Sequence, residues 1–539
     1  MPEIPQIVIP EQFNAASAFL DAHLQAGRGA RPAIYSQAAI CTYAHLGELA
    51  NRVGNGLRDL GVEMEQRVAL LLLDSPAFAA AFFGGMKIGA VPVPINTALR
   101  PGDHAYMLND CRAKVLLVSH EIWPSIQRIL PELQYVRHIV VVGLARAEMV
   151  ETATLHDFER WLERASGTLE AVRTHKDDSA FWLYSSGSTG FPKGCVHLHH
   201  DMVYCAEYYA RGILGLREDD ITFSAAKLYF SYGLGNSLSF PLRVGASTVH
   251  YPGRPLAEEM FRVIQHYRPT IFFGVPTLYA NMLALPDAWT RFDFSSVRIC
   301  VSAGEALPGE ILRRWQDTFQ VDILDGIGST EALHIFISNR PGAIRPGSSG
   351  KVVPGYQAML TDEDGHAVPR GEIGNLLIRG DSIAAHYWNK HEKTKDTING
   401  HWIRTGDKYY QDAEGYFWYA GRADDMLKVS GQWVSPVEVE AMLITHPAVL
   451  ACAVVGALDA GALLKPKAYV VLNAGYHPAP ELAETLKTFV KERLAPFKYP
   501  RWIEFVPELP MTATGKVQRA LLRTKASEMR PVRQAKHPS

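Results

Sequence analysis

Tyr184-Ser185-Ser186-Gly187-Ser188-Thr189-Gly190-Phe191-Pro192-Lys193-Gly194 is the most informative stretch of this 539-residue chain. It follows an apolar run, Phe181–Leu183, that reads as a buried strand, and it is expected to lead into a helix. Three glycines and four small hydroxyl residues within eleven positions make a loop rich in backbone N–H and side-chain O–H donors, and Lys193 adds a cation. A polyphosphate wants many convergent donors and one or two positive charges, so the composition suits it. The spacing is not that of a Walker A loop: five positions after Gly187 stands Pro192, and Lys193 is followed by Gly194 rather than Ser or Thr. On residues alone, a solvated Ser/Gly loop is the competing reading.

Strands and helices alternate on both sides of this loop. Thr42–Leu60 carries Leu46, Leu49, Ala50, Val53 and Leu57 on one helical face, and Gly61 ends it. Arg67–Leu73, Lys114–Ser119 and His138–Gly143 are continuous apolar runs, the pattern of strands covered on both faces. Beyond the loop the pattern returns with Ile221–Ala226, Thr270–Val275, Val297–Ser302 and Val321–Asp325. Such alternation predicts an α/β chain with parallel-type sheets flanked by helices. After about Gly347 short strand-like runs are separated by turn residues, which predicts an antiparallel β subdomain over 347–420. The last stretch reads as a small α+β unit, with Ser435-Pro436-Val437-Glu438 as a helix start. The expected division is a large unit over 1–423 and a small one over 424–539.

Composition narrows the function classes. With 54 basic and 56 acidic residues the formal net charge is -2, which argues against a polybasic nucleic-acid binder. No C-x-x-C pair occurs among the six cysteines, so neither a zinc ribbon nor a disulfide framework is suggested. His197, His199 and His200 invite a metal reading, but no partner follows at ligand spacing; they are expected to open a helix beside the loop. The most apolar stretch, Val68–Ile95, is interrupted by Asp74, Pro76 and Lys87, and the N-terminus lacks a secretory pattern. A cytoplasmic protein without membrane or nucleic-acid partners is expected. A homodimer is the expected assembly.

Five segments in order give the chain a family resemblance. Tyr184–Gly194 resembles the phosphate-loop signature of the adenylate-forming superfamily, which includes acyl-CoA synthetases, nonribosomal peptide adenylation domains and beetle luciferases. Gly326-Ile327-Gly328-Ser329-Thr330-Glu331, Thr405-Gly406-Asp407, Gly421–Asp425 and Pro510–Lys516 resemble its nucleotide, ribose, hinge and C-terminal motifs. The resemblance implies ATP and Mg2+ as cofactors and CoA as co-substrate. It implies that Ser185, Ser186, Gly187, Ser188, Thr189, Gly190 and Lys193 hold phosphates. Gly304, Glu305, Ala306, Asp325, Gly326, Ile327, Gly328, Ser329 and Thr330 would enclose the nucleotide, with Asp407 and Arg422 at the ribose. Glu331 would ligate magnesium, Thr189 would assist at the β- and γ-phosphates, and Lys516 would bridge the carboxylate and the α-phosphate. Asp424 would be the hinge about which a mobile C-terminal domain turns, and Lys428, Ser430 and Gly431 would line the CoA tunnel. Taken alone, Lys516 is one lysine among many, Glu331 an N-cap or turn acid, Asp407 a turn acid, and Arg422 the partner of Asp424 or Asp425.

The acid is addressed by Ala225–Arg243, which holds Tyr229, Phe230 and Tyr232 followed by Gly233 and Gly235, and no Asp or Glu. An aliphatic ammonium substrate would need a buried counter-charge there, so amino acids are disfavoured. Aromatic walls and glycines suit a planar ring, although an aromatic core strand and turn has the same composition. The segment is similar to benzoate-CoA ligases and their hydroxybenzoate and 2-aminobenzoate relatives. That similarity implies a pocket of Phe230, Ser231, Tyr232, Gly233, Gly328, His334 and Ile335. The expected activity is an AMP-forming aryl-acid:CoA ligase. A 2-aminobenzoate ligase, or an aryl-adenylating enzyme that loads a carrier-protein pantetheine, is the alternative.

Overall fold

A computed structural model describes residues 7–37, 39–143, 154–187, 190–429, 432–459, 463–495, 497–511 and 517–528. Among the expected site residues, Ser188, Thr189, Ser430, Gly431 and Lys516 lie outside the described residues, as do the side chains of Ser186 and Lys428. Among the described residues no helix is long and apolar enough to cross a membrane.

The apolar runs form two sheets in the large unit. One has nine strands, in the order Lys351–Val352, Ile335–Ser338, Ile323–Gly328, Ile299–Ser302, Ile271–Gly274, Ile221–Ser224, Ser247–Val249, Pro32–Tyr35, Ile40–Thr42. Its six middle strands are parallel and its edges antiparallel. The other is a parallel sheet in the order Val91–Pro94, Arg67–Leu71, Val115–Ser119, His138–Val142, Leu155–Asp157. The Tyr43–Asp59 and Pro76–Lys87 helices pack on each other, and each begins at a capping hydroxyl, Thr42 and Ser75. Gly54 and Gly84 permit that approach: a Cβ on Gly84 would lie 2.5 Å from the Ala50 carbonyl.

The predicted antiparallel subdomain is present. Gln357–Thr361, Gly374–Arg379 and Trp402–Gln411 pair in sequence, and Ile398–Asn399 and Phe417–Arg422 both pair with the last of these. Beyond it a separate core gathers Val439, Leu443, Val454, Val470, Leu486 and Val490 around the strands Val449–Leu458, Leu464–Leu472 and Trp502–Phe505.

Several local expectations are corrected. The glycine loop does not lead into a helix: Ser179–Gly187 and Gly190–Leu198 pair as an antiparallel hairpin, with Gly187 opposite Gly190. His197 therefore lies on a strand, and the helix starts only at Asp201. Thr405-Gly406-Asp407 is no turn but part of the Trp402–Gln411 strand, which also leaves Asp407 buried. The acyl segment is not a core strand; it is a loop followed by continuous helix from Ser231 to Val244.

Candidate active site

Parallel strands of one sheet place their carboxyl ends on one edge, where doubly wound proteins bind ligands. Four adjacent strands do so here. Ser224 leads into the acyl loop, Gly274 into Val275, Ser302 into Gly304-Glu305-Ala306, and Ile323–Gly328 carries the nucleotide segment itself. Gly304 has φ +96°, a left-handed conformation that glycine adopts without strain.

The glycine hairpin and the Ser329–Glu331 turn meet at one carboxylate. Ser185 Oγ donates to Glu331 Oε1 over 3.2 Å, the Tyr387 hydroxyl donates to the same oxygen over 2.6 Å, and Lys193 Nζ stands 4.0 Å from it. Lys193 also lies over the Tyr387 ring, 4.2 Å from its centroid. Burial, and then the nearby Glu331 charge, push the Tyr387 phenol up, so it is a donor. His197 Nε2 binds the Thr330 carbonyl at 2.8 Å, while Nδ1 faces Asp201 Oδ2 at 2.8 Å. The other histidines look elsewhere: His199 Nδ1 accepts from Ala15 N–H, and His200 pairs with Asp201 and Asp177.

The Pro101–Asp110 helix grips both arms of the hairpin. Tyr184 OH donates to Asp110 Oδ2 over 2.7 Å on one arm. On the other, Tyr106 stacks on Phe191 at 4.5 Å and donates to the Pro192 carbonyl over 3.2 Å. The two arms of the hairpin are thereby fixed to one helix.

Around the nucleotide segment, Ile327 is half-buried and opposite Ile337, an aliphatic wall. The Asp325 carboxyl is fully enclosed, and burial pushes it well above the usual carboxylate range. Its Oδ1 has no hydrogen-bond partner among the described residues. Arg422 pairs with Asp407 at 3.0 Å and donates to the Thr405 carbonyl over 3.0 Å, and among the described residues it makes no ion pair with Asp424 or Asp425, the partners considered for it in isolation. Burial draws the Arg422 guanidinium down, but Asp407 and Tyr419 carry it above its ordinary value. Gly406, at φ +77°, holds a left-handed conformation that glycine adopts without strain, and a Cβ there would lie 2.8 Å from Arg422 Nη2. The small unit reaches this edge as well. Val517 N–H donates to Glu305 Oε1 over 2.8 Å, and Val517 bridges back to Met511.

The expected acid pocket is built on helix and strand together. Tyr232 donates from its hydroxyl toward the carbonyls of Gly274 and Val301, each at 3.2 Å, and its ring centroid is 5.5 Å from that of His334. His334 Nε2 faces two acceptors, the Tyr232 carbonyl at 3.3 Å and Asn236 Oδ1 at 3.1 Å, so it carries the proton. Burial lowers the His334 pKa to about 3, which keeps the ring neutral. Phe230 and Ser231 are half-buried at the helix start, Ile335 is buried, and Gly233 and Gly328 are tight: a Cβ would lie 2.1 Å from the Lys227 carbonyl and 2.5 Å from the His334 carbonyl, respectively.

Two contributors escaped the sequence. Tyr387 offered no local signal at all. Asp74, noted only as a break in an apolar run, is buried beneath the acyl loop, where Oδ1 accepts from Leu228 N–H over 3.1 Å. Burial raises its pKa against the opposing pull of Lys227.

Comparison with known proteins agrees with this architecture. The AMP-binding enzyme family matches residues 21–388, and the AMP-binding enzyme C-terminal domain matches residues 438–516. A benzoate–CoA ligase of Thauera aromatica is 51% identical over 522 residues, covering 96% of this chain and 97% of that one. The structure of an anthranilate CoA ligase in complex with anthranoyl-AMP superposes with TM-score 0.92 at 47% identity, covering 96% of this chain and 98% of that one. A benzoate CoA ligase from Burkholderia xenovorans LB400 does so with TM-score 0.87 at 47% identity, covering 95% and 100%. With a family match across most of its length and a half-identical relative, this chain belongs to the AMP-binding enzymes, the adenylate-forming superfamily.

Proposed function

We propose that the protein is an ATP-dependent, AMP-forming aryl-acid:CoA ligase acting on benzoate or a substituted benzoate. The observation that carries the reading is the convergence of Ser185, Lys193 and Glu331 at the carboxyl edge of the parallel strands, on a chain whose neutral His334 ring lies 5.5 Å from that of Tyr232.

The chemistry needs two anions brought together. The acid's carboxylate attacks the α-phosphorus, a new O–P bond forms, and pyrophosphate leaves with the electrons of the broken P–O bond. The thiolate of CoA then attacks the acyl carbon and AMP departs. In the first step the glycine hairpin, with Ser185, Ser186, Gly187, Ser188, Thr189, Gly190 and Lys193, would hold the β- and γ-phosphates. Asp407 and Arg422 would take the ribose hydroxyls, and the enclosed Asp325 carboxyl, with one oxygen lacking a partner among the described residues, would be open to a hydrogen bond from or to the nucleotide. Lys516 would span carboxylate and phosphate; its neighbour Val517 is bonded to Glu305, which supports that placement. Glu331 suits a magnesium ion, since it offers a hard carboxylate oxygen in a half-buried setting. When bound, that ion would screen the phosphates.

The hinge at Asp424 and a mobile 424–539 unit would let the same site serve the thiol step, with Lys428, Ser430 and Gly431 along the pantetheine path. A cytoplasmic location is supported by six cysteines that are all buried and unbridged. One second reading has an observation behind it: 2-aminobenzoate, because the anthranilate ligase superposes with the higher TM-score and Ser231 stands half-exposed at the pocket.

The test is ATP–pyrophosphate exchange with benzoate, hydroxybenzoates, 2-aminobenzoate and an alkanoate, followed by AMP release with CoA. Exchange stimulated by aromatic acids and AMP release that requires CoA are expected. Stimulation by the alkanoate alone would overturn the substrate reading, and exchange without thioester formation on CoA would point to a carrier-protein acceptor.

A further inference from the structure

We propose that Tyr387 is a positioning residue for Glu331: its phenol occupies Oε1 of the carboxylate and so presents Oε2 to the divalent cation that accompanies ATP. The inference rests on the reading of Glu331 as a metal ligand. Three donors, the Tyr387 hydroxyl, Ser185 Oγ and Lys193 Nζ, meet at Oε1, at 2.6, 3.2 and 4.0 Å. A carboxylate pinned in this way has its orientation fixed before the cation arrives, as partners behind metal ligands commonly arrange.

The backbone explains why Tyr387 can do this. His386–Tyr387 is a two-residue strand paired with Gly190–Leu198, with Tyr387 opposite Cys195. Ala384 N–H donates to the Glu331 carbonyl over 2.7 Å, and Ser382 Oγ to the Ala332 carbonyl over 2.9 Å. Trp388 N–H donates to the Gly194 carbonyl over 2.9 Å. Residues 382–388 thus bind the glycine hairpin and the Glu331 turn at once. Tyr387 also separates two charges. Its ring carries the Lys193 ammonium while its hydroxyl holds the Glu331 carboxylate. Without the hydroxyl, Lys193 is free to close the 4.0 Å gap into a direct ion pair, and a carboxylate neutralised in that way is a poorer ligand.

Tyr387→Phe keeps the ring beneath Lys193 and removes only the donor. Mn2+ is titrated by electron paramagnetic resonance into protein holding α,β-methylene-ATP, and AMP binding without metal is measured by calorimetry. The expected result is Mn2+ affinity weakened about 10- to 100-fold, with AMP affinity unchanged. Mn2+ affinity within about twofold of the parent overturns the inference. So does an equal loss of metal-free AMP binding, which would make the tyrosine a mere support of the pocket. Glu331→Gln separates the two claims. If it also binds Mn2+ normally, the metal-ligand reading itself fails; if it loses Mn2+ while Tyr387→Phe does not, only the role of Tyr387 falls.

Discussion

Replacing Gly235 by alanine perturbs the proposed acid pocket at His334. A Cβ at that position would lie 2.3 Å from His334 Cδ2, 2.7 Å from its Nε2 and 3.1 Å from Phe240 Cζ. Ordinary contact requires about 3.5 Å or more, so the imidazole must retreat by roughly 1 Å. It has little room. Phe240 packs edge-on at 4.4 Å between centroids and Tyr209 at 5.4 Å. The retreat also strains the Nε2 hydrogen bonds to Tyr232 and Asn236. Overpacking of this kind costs about 1–3 kcal/mol of stability. A reacting group displaced by about 1 Å can lose on the order of 100-fold in rate. Gly235→Ala is therefore expected to stay folded, with a melting temperature lowered by several degrees, and to lose exchange with benzoate by one to two orders of magnitude. Exchange with ATP held saturating, as a function of benzoate, reads this out. A variant with the parent's benzoate KM and rate would refute the placement of His334 at the pocket.

Lys516→Ala should abolish pyrophosphate exchange yet make thioester from supplied aryl-adenylate and CoA; equal loss of both steps would count against its assigned role. Asp407→Asn removes the anionic partner of Arg422 and should raise the KM for ATP about 10-fold or more, the scale of a charged hydrogen bond, with little change in the benzoate KM. An unchanged KM for ATP removes Asp407 from the ribose site. Burial lowers His334 to about 3 and His199 to about 4. Between the ordinary histidine value and those values, the unfolded chain binds protons that the folded chain refuses. Stability should therefore fall as pH drops from about 6.5 toward 4, by about 1.4 kcal/mol per unit for each ring. Urea unfolding at pH 7, 6 and 5 measures the slope, and His334→Asn should flatten it; the same slope in parent and variant would contradict the neutral assignment.

The sheets were legible because parallel strands covered on both faces are written as unbroken apolar runs, such as Val115–Ser119. The hairpin after Gly190 was not, because its strand carries Lys193, His197 and a proline, so neither alternation nor an apolar run marks it. The strand setting of Asp407 was hidden for a related reason. Thr-Gly-Asp is turn chemistry locally, but positive-φ Gly406 sits inside a strand whose pairing slips between Lys408 and Tyr409. A bulge keeps the strand going while re-aiming one side chain. Glu331, Ser185 and Lys193 were found by their motifs, yet their meeting at one carboxylate was not, and Tyr387 was missed. Ser185 lies 146 positions from Glu331 and Tyr387 56, and Asp74 lies 154 positions from Leu228. Only tertiary pairing brings such residues together, and no local period records it.

The proposed pivot can be located from opposing attachments. Arg422 is tied backward, to Asp407 and Thr405, and Ala423 N–H donates to the Gly406 carbonyl over 3.0 Å. Asp425 is tied forward, to Arg523 on the last helix of the small unit, whose neighbour Arg519 pairs with Glu440. Asp424 stands exposed between these two sets of bonds. A rotation taken up there leaves the ribose pair on the large unit and the Arg523 pair on the small one intact. It breaks the Val517–Glu305 bond, which spans the two. In the proposed rotation the Asp425 and Met426 N–H bonds to the Arg422 carbonyl, which bracket Asp424, would go together with the Val517–Glu305 bond. Removing its acceptor with Glu305→Ala is expected to slow adenylation more than thioester formation.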